Sequence, residues 1–269
     1  LKIKIGMAFT SDLNEANGVL NAKVATAACQ FLAVALMLCG PQISAASQQD
    51  APASQYLSLQ VQGFHVQVAP ELTERKQLMN QTLRTLENKL EQIVKILRPE
   101  QVARMRRVRI WLEVNKDPAA MRFHRSLRWL EENGFDREKA YGVEISNALN
   151  FVAWTESDQP MMVLHELAHA YFEMVASELY TPLRKAWINA QALHLYESVP
   201  YVRGGFRRAY ALANPGEFFA ELSEAYFGRN DYFPFDRADL QRYDPIGYHL
   251  MEQAWGPRSQ TLTAPLAVL

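Results

Sequence analysis

Met161-Met162-Val163-Leu164-His165-Glu166-Leu167-Ala168-His169-Ala170-Tyr171-Phe172-Glu173-Met174-Val175 is the stretch on which the reading of this chain turns. It is apolar almost all round, which predicts a buried helix. Within it His165 and His169 are four residues apart, so both imidazoles lie on one helix face and can reach a single metal ion. Glu166 follows the first histidine, where its carboxylate can face a metal-bound water and act as general base. The pentapeptide points to a metallohydrolase. The helix is expected to start near Asp158, with Pro160 in its first turn.

Upstream, residues 61–68 alternate partly and read as a strand. A single long helix is expected over 72–97, where Leu83, Leu86, Leu90, Ile93 and Leu97 recur at helical spacing and Pro99 lies just beyond the end. Such a stripe packs on its own sheet more readily than it forms a coiled-coil seam. Residues 108–114 read as a strand with Val108, Ile110, Leu112 and Val114 on one face, broken by Asp117-Pro118. Residues 119–140 are mixed, with short helices around Leu127 and Arg137, and 142–146 form a second short strand. Downstream, a helix is expected after Thr181-Pro182, ending before Pro200. Another opens at Asn214-Pro215 and is stopped by Gly228, and a last one covers 245–255. No internal repeat or low-complexity segment interrupts this order. The pattern is α+β: a small mixed sheet with an active-site helix, followed by a mainly helical C-terminal part.

Lys23 precedes an apolar run over 24–38, and Ser44-Ala45-Ala46 then resembles a signal-peptidase site. The run is short for a bilayer span. Residues 1–46 are therefore expected to be a signal peptide and upstream segment, 47–55 a polar, Pro-containing linker, and 56–269 one domain. Cys29 and Cys39, the only cysteines, lie in the first segment, so a mature chain would rest on core and metal rather than disulfides. The expected location is exported, secreted or periplasmic, without stable membrane insertion after cleavage. Lys plus Arg number 28 and Asp plus Glu 29, a balance that leaves no electrostatic footprint for nucleic acid.

Catalytic zinc takes three protein ligands and keeps one position open. Extending the motif would require Gly at 172 and His at 175, where the chain has Phe172 and Val175. His194 sits among Ala192, Leu193, Leu195 and Tyr196, in what reads as an ordinary helical stretch. The remaining candidates are Glu217, Glu221 and Glu224, on one face of the helix from Pro215 and surrounded by Phe218, Phe219, Leu222, Tyr226 and Phe227. Burying carboxylates is costly unless they are paired or bind metal. Asn214 and Glu217 also fit a capping-box variant that needs no metal.

His165-Glu166-x-x-His169, then Tyr210, then Glu217-Phe218-Phe219-Ala220-Glu221 resembles the catalytic domain of anthrax lethal factor and its relatives among the gluzincins. In that family an E-F-F-A-E segment follows H-E-x-x-H by some four dozen residues, and here Glu217 lies 48 positions beyond His169. The resemblance covers roughly residues 160–228. It implies a zincin-like fold and a zinc metallopeptidase acting on a peptide or protein substrate. It also implies Zn²⁺ held by His165, His169 and Glu217, with Tyr210, seven residues before Glu217, assisting catalysis.

Glu166 is then the general base, and Glu221 is the carboxylate expected to orient a metal-bound histidine, ahead of Glu224. Residues 142–146 are the expected sheet edge for an extended substrate. His124 reads as a solvated loop histidine, and His65 and His249 have no ligand partner at useful spacing. Arg203, Arg207 and Arg208 read as a solvated charge cluster, and the aromatics from Tyr232 to Trp255 as C-terminal core. Two alternatives share the same residues: a catalytically idle zincin-like binding protein, and a zinc hydrolase of a non-peptide substrate.

Overall fold

The structure is a computed structural model that describes residues 50–256. The expected signal segment with its two cysteines, and residues 47–49 of the expected linker, lie outside the described residues. Residues 50–55 are docked on the domain: Ala53–Gln55 form a 3-10 turn, and Asp50 pairs with Lys139.

The sheet begins with a hairpin of β1 (Leu57–Val61) and β2 (Phe64–Val68), turned by Gln62 and Gly63 at φ 52° and 82°. Two consecutive left-handed residues match the right-handed twist of flanking strands. The expected strand over 61–68 is thus the second half of a hairpin, and exposed β1 is an edge. A parallel return to β3 (Ile110–Leu112) needs a helical crossover, supplied by α1 (Pro70–Thr73), α2 (Lys76–Ile96) and α3 (Pro99–Met105). The single helix expected over 72–97 is broken at Arg75, whose φ −97°, ψ 62° is not helical. Its apolar stripe is buried, with Leu86, Leu90 and Ile93 inside the molecule, but α2 packs chiefly on helices, the later Ala148–Ser157 and Met162–Ala192 among them, rather than on the sheet as expected.

Two more strands complete the sheet: β4 (Arg122–Phe123) and, after α4 (Leu127–Glu132) and a 3-10 turn at Arg137–Lys139, β5 (Val143–Ile145). The order is β1-β2-β3-β5-β4, with β2, β3 and β5 parallel and β1 and β4 antiparallel to their neighbours. This corrects the expectation for 142–146. β5 is interior, bonded on both sides, and all three of its residues are buried; the edge is β4.

The C-terminal part is mainly helical, as expected. It comprises α5 (Ala148–Ser157), α6 (Met162–Ala192), a small hairpin of β6 (Val199–Pro200) and β7 (Phe206–Arg207), α7 (Pro215–Phe227), α8 (Arg237–Tyr243) and α9 (Pro245–Trp255). The motif helix does not start near Asp158. That residue caps the end of α5, and α6 opens after Met161. Nor does a new helix start at Thr181-Pro182, because α6 runs straight through Pro182. One backbone bond is lost there, but Leu179, Leu183, Ala186 and Ala190 continue a buried stripe at helical spacing, and packing outweighs the loss. Gly228 ends α7 as expected, for a spatial reason: at φ −149° it needs no left-handed backbone, but a Cβ would lie 2.5 Å from Met161 Sδ at the start of α6.

Candidate metal centre

α6 and α7 form the most extensive helix pair of the fold. Val163, Leu164, Leu167 and Ala168 bury one helix, and every residue from Phe218 to Phe227 is buried on the other. Asn214 caps α7, its side chain accepting from the Glu217 amide at 3.0 Å, with Pro215 in the first turn. The cap engages only the Glu217 backbone. The carboxylate turns instead to α6, where Oε2 lies 3.1 Å from His165 Nε2 and 3.2 Å from His169 Nε2. The two imidazole centroids are 4.9 Å apart, and one atom from each of the three residues falls within 4.8 Å of the others. Tetrahedral zinc with bonds of about 2.0–2.1 Å has ligand-to-ligand edges of roughly 3.3 Å. Two imidazoles and one carboxylate at these separations fit such an ion.

The electrostatics point the same way. Burial pushes the Glu217 carboxyl up, but the two imidazoles more than reverse this and hold it well below the usual range. Burial likewise disfavours a charged His165, yet Glu217 and Glu224 outweigh it and raise its pKa. The pocket therefore favours positive charge at the His165 ring, carried by a proton or by a metal. Glu166 is half-buried, and among the described residues its carboxylate makes no hydrogen bond or ion pair. Tyr210, in a 3-10 turn at Tyr210–Leu212, is 51% exposed, and its ring lies 6.5 Å from that of His165. Burial of its phenol and the nearby Glu217 charge push the Tyr210 pKa up to about 12, so the group is a protonated donor.

All six residues singled out from the sequence meet in this one region, with one redistribution of roles. Glu224, not Glu221, makes the hydrogen bond to His165 Nδ1, at 2.7 Å; the nearest Glu221 oxygen is 3.9 Å away. Seven residues along a helix return to within about 20° of the starting direction, whereas four overshoot by about 40°. Glu224 is thus more nearly in line with Glu217. His194 lies exposed beyond the end of α6 with left-handed φ 53°, not inside a helix.

Three neighbours escape the sequence reading. Phe123, on edge strand β4, stacks 6.3 Å from His169. Gly216 leaves room at the start of α7, since a Cβ there would sit 3.0 Å from Asn214 Oδ1 and 3.7 Å from His169 Nδ1. A glycine inside a helix start is itself a signal of close approach. Asp231, buried in the loop after α7, faces Glu221 and Glu224 and carries no signal in the sequence.

His124 is also corrected. It is only 3% exposed, and its Nε2 meets Glu144 at 2.5 Å. Glu144 belongs to a second charge cluster, in which Lys139 Nζ lies 2.7–2.8 Å from Asp50, Glu113 and Glu144. Arg203 pairs with Asp158, Arg208 pairs with Glu197, and Arg207 lies over the Tyr201 ring.

No family model matches the chain, and neither a curated protein nor a solved structure matches it.

Proposed function

We propose that this chain is a zinc-dependent metallopeptidase of the gluzincin type, with a zincin-like arrangement of sheet and motif helix. One observation carries the reading: a carboxylate 48 positions beyond His169 in sequence reaches both imidazole Nε2 atoms at 3.1 and 3.2 Å. His165, His169 and Glu217 are the residues that would hold the ion. Zinc bound there would supply Lewis acidity and would lower the pKa of the attacking water towards about 7.

The chain's own groups do the rest. The Glu166 carboxylate takes the proton of the attacking water and returns it to the leaving amine nitrogen. The Tyr210 hydroxyl donates to the scissile carbonyl oxygen as that atom gains negative charge. Glu224 accepts from His165 Nδ1, which fixes the tautomer and leaves Nε2 as the ligand atom. Edge strand β4, bonded only to β5, offers its free backbone beside His169 to an extended peptide. The substrate is accordingly a peptide or protein segment in extended form. Export follows from the signal-like segment. No described helix is long and apolar enough to cross a membrane.

The purified chain is expected to carry one zinc and to cleave a peptide library in a chelator-sensitive manner. Glu166→Gln should keep the zinc and lose about 10²–10⁴ of the rate. Equal cleavage by the two forms, or a zinc-free wild type, would refute the reading.

A further inference from the structure

The two imidazoles of the metal centre are held by different means. His165 is fixed by Glu224, which accepts from its Nδ1 at 2.7 Å. His169 has no such partner. Its Nε2 faces Glu217, and among the described residues its Nδ1 makes no hydrogen bond or ion pair. The χ2 torsion of histidine is broad, and rotation about Cβ–Cγ carries Nε2 off the point where His165 and Glu217 converge. Metal-bearing histidines are ordinarily held against that rotation by a hydrogen bond at the other ring nitrogen.

What lies against His169 instead is an aromatic ring. Phe123 stacks on it with 6.3 Å between centroids and 16° between planes, within the range of favourable aromatic pairs. A nearly parallel ring opposes turning of the imidazole, because the turned edge would run into it. The start of α7 closes in from another side. A Cβ at Gly216 would sit 3.7 Å from His169 Nδ1 and 3.8 Å from Cε1, in ordinary contact.

Phe123 is also the residue of β4 whose backbone faces outward. The next residue, His124, donates its amide to Gly142 and accepts from Tyr141, and Val143, opposite Phe123, gives its amide to Arg109 on the far side. Backbone directions alternate along an antiparallel pair, so the N–H and C=O of Phe123 point out from the open edge of the sheet. One residue thus presents its backbone to an incoming peptide and its side chain to His169.

We propose that Phe123 is the positioning residue of His169, its ring doing for this imidazole what the Glu224 carboxylate does for His165. This rests on the reading of His165, His169 and Glu217 as a metal centre, and not on which bond that centre cleaves.

The test compares Phe123→Leu and Phe123→Tyr in the full chain by zinc affinity, from competition with a chelator, and by the visible spectrum of the Co²⁺-loaded protein. Leucine keeps an apolar side chain and removes the flat face; tyrosine keeps the face. Phe123→Leu should bind zinc about 2–10-fold more weakly, the strength of one aromatic pair, and shift the Co²⁺ bands. Phe123→Tyr should match wild type in both. Should Phe123→Leu fail to fold, Phe123→Tyr carries the test, and weakened zinc binding by the folded tyrosine variant overturns the proposal. Wild-type zinc affinity and an unmoved Co²⁺ spectrum in folded Phe123→Leu overturn it as well. So does a change confined to KM, which would make Phe123 a wall for the substrate and no more. A wild type that takes neither zinc nor Co²⁺ removes the metal centre and this role with it. A wild type that holds zinc, shows the Phe123 effect and cleaves no peptide refutes the peptidase reading alone.

Discussion

Two clusters of three buried carboxylates stand in this molecule, and they are solved in opposite ways. Under the sheet, Asp50, Glu113 and Glu144 surround the fully buried Lys139, with His124 on Glu144 and the Tyr56 hydroxyl donating to Glu113 at 2.6 Å. Beside α6, Glu221, Glu224 and Asp231 face one histidine and no lysine or arginine pairs with them. The first cluster brings its own cation and is closed. It joins residue 50, the loop after α4 and strands β3 and β5 into one unit. The first cluster is held by cations of its own; the second adjoins the candidate metal centre.

The strongest way to break this comparison is Lys139→Met. Removing the buried lysine leaves Asp50 to Lys116, Glu144 to His124 and Glu113 to the Tyr56 hydroxyl alone, and unfolding in denaturant should show a loss of about 3–5 kcal/mol. Zinc content of the folded fraction should not change. A variant of wild-type stability would mean that the lysine is not what holds the cluster.

pH separates Glu144 of the first cluster from Asp231 of the second by sign. Burial pushes the Glu144 carboxyl up, but His124 and Lys139 outweigh it and hold it down at about 2, against an ordinary 4.5. Its contribution to stability is therefore full above pH 4.5 and is lost as the pH falls through about 2. Asp231 runs the other way. Burial and the Glu224 charge push it up to about 7, against an ordinary 3.8. Its contribution is full below pH 3.8 and is lost as the pH rises through about 7. Metal-free protein should thus lose stability between about pH 4 and 7 in a manner that Asp231→Asn reduces but does not abolish, since burial pushes Glu113 and Glu221 up as well; chemical denaturation across that range will reveal it. A decline of unchanged size in Asp231→Asn would remove Asp231 as a contributor.

The smallest expected effect sharpens the division within the second cluster. Glu224→Gln deprives His165 Nδ1 of its carboxylate, and zinc affinity by competition with a chelator should fall about 10–100-fold. An unchanged affinity would return the orienting role to Glu221.

The motif helix face and the helix carrying the carboxylates are legible in the sequence, because they are local patterns; which carboxylate and which tyrosine join them comes from the family resemblance. The i, i+4 histidines share a helix face by geometry alone. Asn214, Pro215 and Gly228 bound α7 through capping and space, and the expected helix over 245–255 coincides with α9. Sequence and structure part where packing overrides local preference. Pro182 reads as a helix start, yet a buried stripe carries α6 through it. The stripe from Leu83 to Leu97 lies wholly beyond Arg75 and so carries no sign of the break there. α5, α8 and the two-residue strands carry too little periodicity to be seen.

That His165, Glu166 and His169 have the chemistry of a metal centre is written in the order of the chain, since residue type and helical spacing need no partner to be read; Glu217 and Tyr210 are singled out only through the family resemblance. Which carboxylate faces His165 Nδ1, that 142–146 lies inside the sheet rather than at its edge, and that His124 is buried on Glu144 are decided by how distant elements pack. Each depends on the crossing of two helices or the order of strands. Those come from burying many side chains at once, a quantity no short stretch of sequence contains.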